Sequence, residues 1–268
     1  MIKDFIQQEL RRQYNPEGSM LREIQMCLLD ILTEVDRVCR EDGITYWIDS
    51  GTLLGAMRHG GFIPWDDDLD ICILKKDYVR FCRSMREHLR PPYRLYDIDS
   101  DSGYNHRWPR IVNESVSVKR SMPDGTVREE KLWVDAFLMC NGHPSYVRWI
   151  DAMYGRCFRR MHGIVNDGWL RRASGIALYP FAAMLVALSR PFGRFFFANT
   201  FVHDYASGFY SIRKVKNIFP LSSIMFEGRS FVSPADPDTY LKMIYGDYMK
   251  LPPEDRRMTH NMLELKTL

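Results

Sequence analysis

The chain has no Cys-x-x-Cys pair among its six cysteines, Cys27, Cys39, Cys72, Cys82, Cys140 and Cys157. That excludes a zinc ribbon and leaves thiols at apolar positions of helix and strand patterns, as in a reducing compartment. It has little net charge: 37 basic against 34 acidic residues give +3, so composition offers no nucleic-acid partner, and none is expected. It has no uninterrupted apolar run of the roughly 20 residues a bilayer requires. The nearest candidate, "IALYPFAAMLVAL" at 176–188, is short and contains Pro180. The opening "MIKDFIQQELRRQYNPEG" is charged and mixed, without the apolar core of a signal peptide. A cytoplasmic location is expected. Internal repeats and low-complexity tracts are absent too. The 268 residues, 46% hydrophobic and 26% charged, are those of a folded protein with a sizeable core.

What is present is an unusual concentration of aspartate. "GTLLGAMRHGGFIPWDDDLDICI", residues 51–73, puts four carboxylates into five positions, directly before an apolar run. Around it the pattern reads readily. Ser19 caps a helix running to about Arg40, with Leu21, Ile24, Leu28, Ile31, Leu32, Val35 and Val38 on one face and Gly43 ending it. "ITYWI", 44–48, is a buried strand, followed by a tight turn at Ser50–Gly51 and a short helix. "DLDICI", 68–73, alternates strictly, so Asp68, Asp70 and Cys72 share one face of a strand while Leu69, Ile71 and Ile73 share the other.

A helix starting near Asp77 is stopped by Pro91–Pro92. Strands are predicted near 93–97, 109–118 and 132–138, the last two joined through "PDG" at 123–125. In "LWVDAFLM", Asp135 is a lone carboxylate inside an apolar strand, where a charge needs a partner or a metal. From about 145 to 215 basic, aromatic and apolar residues mix in a region read as helical. Short strands and a helix near 237–245 follow, closed by Gly246.

Four readings compete for the aspartates. A solvated acidic turn is the simplest, but the carboxylates continue into the strand. An EF-hand fails: Asp66, Asp68 and Asp70 fit positions 1, 3 and 5, but Ile71 replaces the glycine at 6 and Asp77 the glutamate at 12. A nucleotide-sugar Asp-x-Asp site lacks a nucleotide-binding half ahead of it. The fourth is a nucleotidyltransferase-type site. It requires a small-residue turn opening a helix, whose backbone N–H groups hold a phosphate. It also requires an Asp-x-Asp on the next strand and a third carboxylate on a neighbouring one. "WIDSGTLLG", "DLDI" and "WVDAF" supply these in order.

These blocks, with the C-terminal "FEGRSFVSPADPDTYLKMIYGDYMKLPPEDR", resemble the LicD/fukutin-related phosphotransferase family over about 20–140 and 217–260. The resemblance implies an α/β (α+β) fold: a nucleotidyltransferase-like mixed sheet flanked by helices, formed by 1–144 plus 216–268. Residues 145–215 would be a variable helical insertion facing the acceptor or a membrane; within it "WLRRASGIALYPFAAMLVALSRPFGRFFF" is basic and apolar together, which reads as a peripheral contact through 169–201 at the inner face of the cytoplasmic membrane, or else as a buried or subunit-docking helix. It implies Mg²⁺-dependent transfer of a phospho-alcohol from a CDP-activated donor to a glycan or lipid-linked glycan such as lipopolysaccharide or teichoic acid. Phosphocholine from CDP-choline is the leading group. Ribitol, glycerol or ethanolamine phosphate, a nucleotidyltransferase making the CDP-alcohol, and an inactive glycan-binding module are the alternatives.

On that reading Asp68, Asp70 and Asp135 hold Mg²⁺, with Mn²⁺ as the alternative, and are the catalytic carboxylates. Asp135 either completes a two-metal site or takes the acceptor's proton. Asp66 and Asp67 are supporting ligands or loop anchors. Ser50, Gly51 and Thr52 grip phosphate, although Asp49 stands where such enzymes often carry glycine. Arg58, His59 and Arg110 are candidate phosphate contacts, and Trp65 either stacks on substrate or packs. Trp47, Tyr104, Trp108 and Trp133 are candidates to cage a quaternary ammonium. In the tail, Asp247, Arg256 and His260 fall in or near the matching block, with His260 an acid, base or phosphate donor.

Overall fold

The computed structural model describes residues 4–99, 104, 106–122, 125–161, 168–204, 207, 209–259 and 262–267. Helix α1 (Asp4–Tyr14) leads into α2 (Met20–Glu41), whose N-cap Ser19 accepts from Arg22 N–H at 3.3 Å. The face of α2 read from the sequence is buried, together with Gln25 and Glu34. Strand β1 (Tyr46–Ile48), α3 (Ser50–His59) and β2 (Asp70–Leu74) follow, then α4 (Tyr78–His88), β3 (Tyr93–Tyr96), β4 (Arg110–Ser121) and β5 (Val127–Asn141).

The sheet runs β1-β2-β5-β4. β1 is antiparallel to β2 and β4 to β5, while β2 and β5 are parallel, with Asp70 opposite Asp135 and Leu74 opposite Met139. Ile71, Cys72 and Ile73 are fully buried, so β2 is covered on both faces.

The middle region is α5 (Pro144–Ile150), a π turn over Asp151–Gly155, α6 (Arg156–Met161) and α7 (Trp169–Phe196). The expectation of a short, proline-broken apolar segment is corrected here: α7 runs 28 residues through both Pro180 and Pro191. The helical reading to 215 also ends too late. Strand β6 (Thr200–His203) pairs with β5, and β7 (Arg213–Lys214) pairs with β6, so the chain rejoins the main sheet at Thr200.

A four-residue α8 (Val215–Ile218), the hairpin β8 (Ser222–Phe226) and β9 (Arg229–Ser233), α9 (Pro237–Tyr245) and β10 (Met262–Thr267) complete the fold; β10 pairs with β4, an edge the sequence reading did not include. The main core packs α2, α3 and α9 on the sheet; a second small core unites α5, α6, α7 and Val202.

Candidate active site

The α3–β2 unit positions the aspartates. Ser50 opens α3 at φ 49°, a left-handed conformation uncommon for a side-chain-bearing residue. Gly51 follows because a Cβ there would stand 3.1 Å from Asp66 Oδ2 and 4.0 Å from Asp68 Oδ1. The first turn of α3 therefore faces two carboxylates at close range. Thr52 Oγ1 accepts from Asp70 N–H at 2.9 Å, and Asp70 C=O accepts from Asp49 N–H at 3.1 Å, which locks the helix start to the strand start. The loop between them is held from below: Gln25 Nε2 donates to Asp66 C=O at 2.8 Å, and Phe62 N–H donates to Glu227 Oε1 at 3.0 Å.

Asp70 and Asp135 lie side by side across the parallel β2–β5 pair, and Asp135 N–H bonds Leu69 C=O at 3.1 Å. Burial, then Asp68, Asp135, Asp49 and Asp66, pushes the Asp70 carboxyl well above its ordinary range. Among the described residues no lysine or arginine pairs with it. Asp135 is held firmly: Oδ1 accepts from Trp108 Nε1 at 2.6 Å and Arg110 Nε at 2.7 Å, and Oδ2 from Trp133 Nε1 at 2.9 Å. The Arg110 guanidinium also lies 4.2 Å from the Trp133 ring centroid.

Beside this cluster a cavity of about 350 Å³ is lined by Asp67, Asp68, Glu130 and Asp135, by Arg120, and by Trp133 with Leu28, Leu132 and Met122 among its apolar walls. Asp67, at 2% exposure, is an anchor paired with Arg120, while Asp68 is exposed. The close carboxylates, the raised Asp70 and the space left by Gly51 make a donor set that fits a hard divalent cation.

Several sequence candidates are engaged by the protein itself. Arg58 is only 4% exposed; its Nη1 donates to Tyr248 C=O at 2.7 Å, because α3 turns this face onto the C-terminal segment. His59 is buried too, accepting at Nε2 from Arg58 Nε at 2.8 Å and donating from Nδ1 to Gln7 Oε1 at 2.6 Å. Trp65 packs edge-on against Tyr14 and His59 under the Arg257 guanidinium. Ser50 Oγ donates to Asp49 Oδ2 at 3.0 Å. Trp47 is fully buried and donates toward Tyr240 Oη at 3.3 Å, which removes it from any ammonium cage. Tyr104 donates to Trp108 C=O at 2.6 Å. Asp247 and Arg256 sit in the C-terminal turns, and His260 lies outside the described residues.

The sequence reading missed the group behind the site. Asp49 does not cap α3 with its side chain; it points inward, with no exposure. His203 Nε2 donates to its Oδ2 at 3.0 Å, Arg213 Nη2 at 3.3 Å and Cys72 Sγ at 3.1 Å, while the Tyr240 hydroxyl bonds Oδ1. Burial works to raise the Asp49 carboxyl, but Arg213, His203 and Tyr240 outweigh it and hold it well below the ordinary range. Burial and Arg213 depress His203, keeping it neutral. Asp49, Cys72 and His203 are close enough to share a metal, yet the donors converging on Asp49 make this an ion-pair network. A buried aspartate signals a required partner; the sequence gives no means of finding Arg213, 164 positions away.

The sequence model of the LicD/FKTN/FKRP nucleotidyltransferase domain matches residues 43–162, the stretch holding β1, α3, β2 and β5. The chain is 26% identical over 264 residues to the lipopolysaccharide cholinephosphotransferase LicD of Haemophilus influenzae, covering 91% of this chain and 97% of that protein. It is 44% identical over 64 residues to the human ribitol 5-phosphate transferase FKRP, a local match covering 22% of this chain and 13% of that protein. The mixed sheet flanked by helices is consistent with a nucleotidyltransferase-like fold, and these relatives point to a transferase of phosphorus-containing groups. Within that class, residues 43–162 are similar to the LicD/FKTN/FKRP nucleotidyltransferase domain, and most of the chain is similar to the Haemophilus protein.

Proposed function

We propose that the protein transfers a phospho-alcohol from a CDP-activated donor to a hydroxyl of a cell-surface glycan, and that the group carried is phosphocholine. The observation that carries the reading is the pairing of Asp70 with Asp135 beside the first turn of α3. Asp68, Asp70 and Asp135 would hold Mg²⁺. When bound, the ion neutralises the donor's diphosphate and the charge growing on the leaving CMP. The α3 N-terminus, free of a Cβ at Gly51, suits a phosphate held by backbone N–H groups.

A carboxylate offers about four lone-pair sites, and three on Asp135 are taken by Trp108, Arg110 and Trp133. One Oδ2 site remains, which favours Asp135 as an oriented ligand over a mobile base. Arg110 acts through Asp135 instead of gripping phosphate. The adjoining cavity, with four carboxylates against one guanidinium and an indole wall, suits a cationic alcohol better than a neutral polyol.

The test incubates the purified chain with Mg²⁺, a glycan acceptor and each of CDP-choline, CDP-ribitol, CDP-glycerol and CDP-ethanolamine, following CMP release and the melting temperature. CMP release with CDP-choline, abolished by EDTA, is expected. Ribitol or glycerol as the preferred group would overturn the choline assignment. Pyrophosphate release from CTP plus phosphocholine, without CMP release from any donor, would overturn transfer itself.

A further inference from the structure

Helix α7 buries only a narrow stripe: Gly175, Ala182, Val186 and Gly193, spaced seven, four and seven residues apart. The small residues let it lie close on α5 and α6, where Gly193 abuts the Tyr146 ring and the Ser189 and Tyr146 hydroxyls bond at 2.8 Å. At about 100° per residue the opposite face carries Leu170, Phe181, Met184, Leu188 and Phe195, with Phe192 at its edge. All six are exposed, Phe195 by 80% and Leu188 by 62%. An apolar face this long is left to water only when something else covers it.

The charges identify the covering. From Trp169 to His203 there is no Asp or Glu, and Arg171, Arg172, Arg190 and Arg194 flank the buried stripe, to the sides of the apolar face. Arg190 and Arg194 also rim a cavity of about 580 Å³ between α7 and the ends of β2 and β5, with Lys76 beside them. Among the described residues these three form no ion pair. Two copies meeting on this face would leave the arginines of both along the edges of the contact, with no carboxylate of α7 to pair them.

We propose that α7 lies in the surface of an anionic bilayer, its outward face in the headgroup–acyl boundary and its flanking arginines among the phosphates. The helix is long and apolar enough to cross a membrane. It is, however, docked lengthwise on α5 and α6, whose exposed Arg148 and Arg156 would have to enter the hydrocarbon with it. It lies on the bilayer instead of spanning it.

This inference does not rest on the transfer reaction, and its test is free of catalysis. The full-length chain is floated with phosphatidylglycerol-containing and with pure phosphatidylcholine vesicles at low and high salt. Binding to the anionic vesicles, weakened by salt, is expected. Leu188→Glu and the pair Arg190→Glu/Arg194→Glu, each checked for a native circular dichroism spectrum, should weaken it roughly tenfold or more. Absence of flotation with anionic vesicles overturns the proposal, as does flotation indifferent to Leu188→Glu. A solution dimer that Leu188→Glu converts to monomer, without vesicle binding, assigns the face to a second copy.

Discussion

Asp70 is the most stressed single residue of the site. Its carboxylate is half-buried among four others, without a paired cation among the described residues. Asp70→Asn removes one of the mutually repelling charges and keeps the side-chain shape. Transfer should fall by about a hundredfold or more, since the lost interaction serves charge in the transition state. The melting temperature of the metal-free protein should stay level or rise. A large drop in melting temperature would mean that Asp70 is a fold-supporting residue.

His59 makes a second residue-scale prediction. Burial first, then Arg58 and Arg11, lowers its pKa to about 3, and the Arg58 Nε–H already aimed at Nε2 leaves no room for a second proton there. The folded pKa lies below the unfolded value of about 6.5, so this group's contribution is complete above pH 6.5 and shrinks as pH falls toward 3. Between pH 6.5 and 5 the loss is about 2 kcal/mol. Urea melts at those two pH values should show it, and His59→Gln should remove that share of the slope while the similarly depressed His203 keeps its own.

Among the elements, α3 and the loop after it act as one piece. Gly55, on the inner side of α3, faces the Gly61 carbonyl, which a Cβ would overlap, and Ile63 N and Phe62 C lie close behind. Backbone cannot swing aside as a side-chain tip can, so Gly55→Ala must lift the loop that carries Asp66 to Asp70. A destabilisation of about 1–3 kcal/mol is expected, together with a loss of transfer larger than the loss of folded protein explains. Denaturant melts beside initial rates would separate the two.

How far these elements could be read depended on where their information lies. The α2 stripe, the Ser19 cap, the alternation of Asp68, Asp70 and Cys72, and the glycine after Ser50 are local patterns, each set by neighbours a few residues away. Arg58 and His59 misled because a charged side chain at the end of a short helix looks solvated until the distant Tyr248 and Gln7 are in place. Pro180 misled because a proline inside a helix is costly on average, yet α7 continues through it. Strand β6 was lost in the region read as helical, since four residues carry too little periodicity to announce a strand that pairs with β5.

Across the whole molecule, four remote segments meet at Asp49: β2 through Cys72, β6 through His203, β7 through Arg213 and α9 through Tyr240. The return of the chain from the helical region to the sheet is thus tied to the start of α3. Cys72 brings the same network to within two residues of Asp70 along β2, and the Asp49 N–H bonds the Asp70 carbonyl, so the C-terminal half is tied to the strand that carries the aspartates. Arg213 is 1% exposed and donates from Nε to Tyr240 Oη at 2.7 Å as well as to Asp49. Arg213→Met keeps the bulk of the side chain but strands Asp49 as a buried charge, at a cost of about 3–5 kcal/mol. Asp49→Asn in the same chain removes that stranded charge, so the double variant should recover most of the loss, because what destabilises is the unpaired ion and not the missing pair. Denaturant unfolding of the two single variants and the double closes the cycle. Additive losses would mean that Arg213 and Asp49 support the fold separately, and that the tie between the two halves of the chain runs through packing alone.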